Sequence, residues 1–400
     1  MAFDRLKSYL LSLKKEKVAV FLDELPWMDT AQSHFLAAFS SFGNNWGNVW
    51  EGGQKVKVPL LKLYVCGSAT TWMVGRLIGD KGGLHGRINR QIYVLPFSLA
   101  ETEEFLNTVK RMHFGREQVV DAYMVLGGIP YYLGMLDASL PLSINIDRLF
   151  FSPGAPLLIE FDFLYRSYFK GSGLYRKVME QLSQNLSGMT REEISLSCKL
   201  DGGELTKILK NLCCGEFIRA YSSPGKRTRG KIFQLNDLFA LYYLHFVEQS
   251  QGQDEQYWTH LSQTGARNAW AGYAFEQVCL HHIPQIKKAL GISGILCNAY
   301  AWSYSPFTDA DGNEWRGGQI DLVLDRADHV MNLCEIKHCA DEHVIPKDLA
   351  STIRSRTELF RRIVKTKKDL RCTFITMYGV KQNSYSGIVH SQLTMDDLFC

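Results

Sequence analysis

Gln319-Ile320-Asp321-Leu322-Val323-Leu324-Asp325 is followed, after a short polar break, by Asn332-Leu333-Cys334-Glu335-Ile336-Lys337-His338. The reading of these two runs decides what kind of domain closes the chain. The first run largely alternates apolar and polar residues, as a half-buried strand does. The second is a further strand. Asp325-Arg326-Ala327-Asp328 between them suits a hairpin turn, so the strands are expected to pair. Glu335 and Lys337 lie two residues apart and therefore share one face. Asp321 precedes Glu335 by fourteen residues, and the hairpin would set it beside Glu335 and Lys337. Upstream, Trp270-Ala271-Gly272-Tyr273-Ala274-Phe275-Glu276-Gln277-Val278-Cys279-Leu280 reads as a helix with one central carboxylate, Glu276.

A helix Glu, a strand Asp and Glu-x-Lys make a defined chemical set. The carboxylates are hard oxygen ligands suited to Mg²⁺ or Mn²⁺. A metal held there activates water and stabilises the charge that builds on a phosphate. Asp321, Glu335 and Glu276 are the candidate metal ligands. Lys337 joins them as a candidate catalytic group that positions or deprotonates the water, or stabilises charge. Glu-x-Lys on an exposed strand is also a common surface ion pair, so the weight lies in the flanking apolar strands and the helix Glu. The order resembles the PD-(D/E)xK fold of restriction-endonuclease-like nucleases. Residues 348–368 follow as a basic helix that includes Arg354, Arg356, Arg361 and Arg362, then a strand over 372–377. Arg361 and Arg362 are candidate phosphate-backbone contacts; the bland alternative is a solvated helix face.

The N-terminal part carries a second pattern. Lys17-Val18-Ala19-Val20-Phe21-Leu22-Asp23-Glu24 is a buried-strand run ending in two carboxylates. A second apolar run, 61–66, ends in Gly67-Ser68, and Leu84-His85-Gly86-Arg87 leads into Ile92-Tyr93-Val94-Leu95-Pro96-Phe97, expected to be another short strand. Met124 to Leu133 contains Leu126-Gly127-Gly128-Ile129-Pro130. The series resembles the archaeal-type ATPase family of the AAA+/STAND group of P-loop ATPases. The resemblance implies that Asp23 sits at Mg²⁺, Glu24 polarises water, Ser68 senses the γ-phosphate, and Arg87 faces a nucleotide. It also makes 124–133 part of a helical lid. If Arg87 acts on a neighbour's nucleotide, a homo-oligomer is required. One departure is large: GxxxxGK[ST] occurs nowhere, and the backbone amides and Lys that cradle phosphates are therefore missing. The pattern is that of an ATPase without its N-terminal third. ATP with Mg²⁺ is expected as a cofactor only if a P-loop exists upstream, and useful ATP hydrolysis is not expected here.

Between these parts, residues 174–184 read as an amphipathic helix. Thr190 with Glu193 forms a capping box. The helix from Glu204 has apolar residues at 205, 208, 209 and 212. Two short strands, 216–221 and 230–235, flank a tip with Lys226, Arg227 and Arg229. Three helices and a hairpin follow the order of a winged helix, and these basic residues are candidate nucleic-acid contacts, with a solvated hairpin tip as the alternative. Asn236 to Val247 and the terminal Met395-Asp396-Asp397-Leu398-Phe399 also resemble stretches of the same ATPase family.

Composition is permissive: 46% apolar and 22% charged residues suit a globular chain, and 45 Lys and Arg against 41 Asp and Glu leave +4. That balance does not itself require nucleic acid. No apolar run reaches membrane-span length. Ten scattered Cys without a CxxC pair suit a reducing, cytoplasmic setting. Cys334, His338, Cys339 and His343 could suggest zinc, and Cys279, His281 and His282 suit core or helix surface better. The expected fold class is α/β multidomain: a partial P-loop ATPase parallel-sheet core with helical lid (1–150), a winged helix (151–250) and a restriction-endonuclease-like domain (256–400). The expected function is metal-dependent phosphodiester hydrolysis on DNA or RNA. The alternatives are a non-enzymatic regulator or scaffold and an ATP-gated switch.

Overall fold

The computed structural model describes residues 2–30, 32–51, 53–67, 72–78, 84, 86–168, 172–222, 231–250, 252, 254–262, 264–308, 312 and 314–400. The chain divides into two compact units, Met1–Val94 and Leu95–Cys400.

In the first unit, the helix Ala2–Ser12 leads into β1 (Lys17–Leu22). The helix Phe35–Asn44 and the short hairpin β2 (Trp50–Glu51) and β3 (Gln54–Lys55) precede β4 (Leu60–Val65). β1 and β4 run parallel, with Lys17 opposite Leu60 and Leu22 opposite Val65. Alternation sorts their side chains. Val18, Val20 and Leu61 pack with Leu10, Phe42 and Trp46, while Leu22, Leu63 and Val65 pack with Leu25 and Phe39. The opposite face holds Lys17, Ala19, Phe21, Leu60, Lys62 and Tyr64, all exposed. Among the described residues, β1 and β4 pair only with each other. The strand expected over 92–97 does not form: residues 91–98 have no regular structure, and Ile92, Tyr93 and Val94 are exposed. An apolar run becomes a strand only where a ladder satisfies its backbone groups, and these residues have no ladder.

The second unit begins with the helix Leu99–Glu104, started by a Ser98–Glu101 capping box. The helix Arg116–Leu126 follows, with Val119, Val120 and every residue from Ala122 to Leu126 buried. It stops at Gly127 and Gly128, both with positive φ. A Cβ on Gly128 would lie 2.4 Å from the Phe97 carbonyl oxygen, so this turn needs glycine. The helices Leu142–Phe150, Glu160–Tyr168 and Ser172–Gln184 come next. β5 (Met189–Thr190) precedes the helices Arg191–Cys198 and Gly202–Cys214, and the Thr190–Glu193 capping box forms as expected. β6 (Ile218–Ser222) and β7 (Lys231–Leu235) complete an antiparallel sheet in the order β5-β7-β6. The tip residues Lys226, Arg227 and Arg229 lie outside the described residues.

Leu238–Tyr242 then continues helically to Val247. Its Tyr242 packs against Phe150, Trp258 and Trp270. One continuous core joins Leu99, the middle helices, Trp270 and Phe399. Arg116 reaches Asp396 at 2.9 Å and lies over the Phe399 ring. Residues 95–150 therefore belong with the rest of the second unit. The module expected to end at 150 is divided at 94/95 because the Arg116–Leu126 helix is buried among later segments.

After the helix Gly265–His281, five strands form one sheet: β8 (Cys297–Tyr304), β11 (Gly318–Arg326), β12 (Val330–Lys337), β13 (Asp369–Thr376) and β14 (Ser391–Leu393), with a small hairpin of β9 (Phe307–Thr308) and β10 (Glu314–Trp315) between the first two. The spatial order is β14-β13-β12-β11-β8. β8, β11 and β12 are antiparallel neighbours; β12, β13 and β14 are parallel. The helix Lys347–Val364 makes the crossover from β12 to β13, a length parallel pairing demands. Both faces are covered. Leu322, Leu324, Cys334 and Ile336 join the core that contains Phe275 and Val278. Ile320, Val323, Leu333 and Met331 pack with Leu359 and Phe360 of the crossover helix. β11 is thus buried continuously from Ile320 to Leu324 rather than on one face. The protein is mixed α/β, and among the described residues no helix is long and apolar enough to cross a membrane.

Candidate active site

The hairpin pairing of β11 and β12 holds from Asp325 opposite Met331 to Leu322 opposite Cys334. Asp321 lies one residue beyond. On its other side, the β8–β11 register slips between Ile320 and Val323. Asp321 therefore sits at a bulge, a device that re-aims a side chain. Its Oδ2 accepts the Ile336 backbone N–H at 3.0 Å, which places it beside the Glu335-Ile336-Lys337 segment. Lys337 Nζ lies 2.8 Å from Glu335 Oε1. Glu276, half-buried on the Gly265–His281 helix, interacts electrostatically with Asp321, Lys337 and Glu335. Asp321, Glu335, Lys337 and Glu276 are thus in one neighbourhood.

A fifth member comes from the crossover helix. Arg356 Nη2 pairs with Glu335 Oε2, and its Nη1 donates to the Gln319 carbonyl at 2.7 Å. Both oxygens of Glu335, whose side chain is 4% exposed, are therefore held by cations. The sequence reading placed Arg356 only in a basic helix. A sharper signal was present: Leu349, Ile353, Arg356, Phe360 and Ile363 follow helical spacing, so Arg356 interrupts the apolar stripe.

The charges are unevenly compensated. Burial pushes the Glu276 carboxyl up to about 8, reinforced by Asp321. Burial likewise raises Asp321 to about 6, reinforced by Glu335. Burial also acts to raise Glu335, but Arg356 and Lys337 more than offset it, and its pKa lies below the ordinary value. Burial opposes the charge on Lys337, but Glu335 and Asp321 hold its pKa above the ordinary lysine value. Both carboxylates thus favour the charged form of Lys337. Arg219 of β6 donates to Gln234 and Gln277, adding a buried positive charge that acts on Glu276.

The donor chemistry suits a hard divalent cation. Three clustered carboxylates, two with raised pKa, would be relieved by one. Asp321 and Glu276 have oxygens to offer, and Glu335 would complete the set on release from Arg356. Among the described residues, no group of three or more His, Cys, Asp or Glu side chains is disposed to hold a metal as they stand. The zinc alternative gains nothing: Cys334 is buried, His338 packs edge-on to Phe275, and His343 stacks on Phe374. His282 is a core residue; its Nε2 accepts the Leu99 N–H at 2.9 Å. His281 bonds Asn236.

Other expected site residues are more scattered. Asp23, just past the end of β1, accepts from the Cys66 thiol at 2.6 Å and from the Glu24 N–H. That bond is the main cause of a raised Cys66 pKa. Glu24 adopts a left-handed backbone, φ 46°. Arg87 is exposed in a turn, and Ser68 lies outside the described residues. Arg361 is exposed, and Arg362 lies over the Trp315 ring at 5.0 Å.

Comparison with known proteins adds little detail. No family model matches the chain, and no solved structure does. It is similar to an uncharacterized protein, MJECL04, of Methanocaldococcus jannaschii, with 24% identity over 314 residues. The match covers 77% of this chain and 64% of that protein.

Proposed function

We propose that residues 256–400 form a restriction-endonuclease-like module that hydrolyses phosphodiester bonds in nucleic acid with a divalent metal. The observation that carries this reading is Asp321, re-aimed by a bulge to the Glu335–Lys337 segment, with Glu276 facing the same group. Asp321, Glu276 and Glu335 would hold Mg²⁺ or Mn²⁺. The bound metal would lower the pKa of a water and polarise the phosphate. Lys337, kept protonated, would orient that water by hydrogen bonding or stabilise charge on the phosphate oxygens. Exposed Arg354 and Arg361 on the crossover helix would follow the backbone, sequence-independently.

In the same proposal, residues 172–235 act as a winged helix, supported by the order of three helices and a hairpin. Residues 1–94 correspond to part of an ATPase core, supported by the parallel β1–β4 pair and its acidic turn. Without a P-loop sequence they would not cleave ATP. A second reading, a non-enzymatic scaffold, is favoured by the full commitment of Glu335 to Lys337 and Arg356.

The deciding experiment incubates single- and double-stranded DNA and RNA with the protein and Mn²⁺ or Mg²⁺, beside Asp321→Ala and Lys337→Ala. Cleavage by the wild type, reduced at least about 100-fold in both variants, is expected, since general catalytic groups contribute on that order. Equal cleavage in all three would remove this site as the source. No cleavage by any would favour the scaffold.

A further inference from the structure

We propose that Arg356 is a phosphate-responsive plug: it occupies Glu335 until a phosphodiester takes its guanidinium, and so couples metal loading to nucleic-acid binding. The inference rests on the nuclease reading above and adds a residue and an order of events to it.

A carboxylate ligand needs at least one free oxygen aimed at the metal. Here Oε1 lies 2.8 Å from Lys337 Nζ, and Oε2 pairs with Arg356. A cation entering beside Asp321 and Glu276 would meet a carboxylate already neutralised, with two positive charges close by. Its affinity for the site is accordingly reduced. Lys337 does not need to move, because it shares the strand face of Glu335 and contacts a single oxygen. Arg356 belongs to a different element, the Lys347–Val364 helix, and reaches Glu335 across to the sheet.

Arg356 is also the member best suited to exchange partners. Guanidinium groups bind carboxylates and phosphates through the same planar fork. Its present second contact is a single carbonyl, Gln319 O, so the fork is not closed on Glu335 by two parallel bonds. Its side chain is 16% exposed, which gives an incoming phosphate access. Arg354 and Arg361 of the same helix are exposed, and phosphates drawn to that helix would arrive near Arg356. Transfer of Arg356 from Glu335 Oε2 to a non-bridging phosphate oxygen frees that carboxylate oxygen for the metal. The phosphate also brings a negative charge that offsets the charge of the cation. The exchange involves no covalent bond and no proton transfer.

The test measures Mn²⁺ binding to the full chain by electron paramagnetic resonance of free Mn²⁺, with and without a short synthetic DNA duplex. Wild type is compared with Arg356→Gln, Arg356→Lys and Asp321→Asn; Asp321→Asn supplies the correction for Mn²⁺ bound by DNA itself. Without DNA, Arg356→Gln is expected to bind Mn²⁺ about tenfold tighter than wild type, an effect of the size that partners of metal ligands have but of opposite sign, because Arg356 competes with the metal for Glu335. Arg356→Lys, which keeps the charge, should fall near wild type. Adding DNA should tighten wild type by a similar factor and Arg356→Gln by clearly less. Equal or weaker Mn²⁺ binding by a folded Arg356→Gln, with binding still lost in Asp321→Asn, would overturn the plug and leave the metal site standing. If Arg356→Gln does not fold, judged by circular dichroism, the wild type alone decides: no tightening on adding DNA overturns the proposal. Mn²⁺ binding that ignores Asp321→Asn in every variant, with or without DNA, would remove the metal reading and the plug together.

Discussion

Two sheets of this protein obey the same alternation and are finished differently. The five-stranded sheet of the second unit is covered on both faces, and its central strands bury five or more consecutive residues. The β1–β4 pair has the parallel arrangement that elsewhere requires cover on both sides, yet one of its faces is bare. Phe21 is 64% exposed, Leu60 58% and Tyr64 51%. The difference teaches that a buried-strand sequence is a statement about partners. Phe374 on β13 is wholly buried, and Phe21 on β1, in a similar local context in sequence, is exposed among the described residues.

Substitutions can break or sharpen this contrast. The largest effect belongs to Phe374→Ala. It should destabilise the second unit by about 3–5 kcal/mol, the cost of emptying a core aromatic position, read from denaturant unfolding. An equal loss for Phe21→Ala would show that the first sheet is covered in solution.

The pH dependence comes next. Glu276 is raised from 4.5 to about 8 and Asp321 from 3.8 to about 6. A raised pKa in the folded state means that folding favours the protonated form. The stability these two groups contribute should be full in acid and be lost as pH rises, through about 6 for Asp321 and about 8 for Glu276. One group contributes a slope of at most about 1.4 kcal/mol per pH unit. Glu276→Gln should flatten the curve between pH 6 and 8 and leave the Asp321 portion below it. Its neighbours Asp321, Lys337, Glu335 and Arg219 surround Glu276, so a curve unchanged by Glu276→Gln would mean that they have rearranged.

Thr190→Ala removes a capping-box acceptor at an exposed helix start and should cost about 1 kcal/mol, measurable by thermal melting. The smallest effect on stability is expected for Phe21→Ser, within about 0.5 kcal/mol, since the ring has little enclosure to lose. The same change should lower concentration-dependent self-association in sedimentation, because it removes an aromatic group from a bare sheet face.

What the sequence made legible were features with local causes. Thr190 and Glu193 announced a helix start. The apolar spacing at 205, 208, 209 and 212 marked the buried face of the Gly202–Cys214 helix. The strands carrying Asp321 and Glu335 also fell where their patterns put them. The run over 92–97 misled because apolar content does not supply a ladder partner. The bulge at Asp321 was hidden because it depends on the β8 register, set by residues about twenty positions upstream. Arg356 was obscured by its basic neighbours in the helix, although its place in the apolar stripe set it apart. Its partner Glu335 is twenty-one residues away, beyond the reach of any short motif.

The meeting of Arg116 with Asp396 and Phe399 has a bearing on synthesis. Leu398 and Phe399 fill the same core as Leu99 and Leu126, so the start and finish of the second unit depend on each other. During translation, helices made early must wait with part of their apolar surface uncovered until residues 395–399 leave the ribosome. A ribosome pausing late in the message would therefore hold a second unit not yet sealed, the state in which chaperones have most to bind.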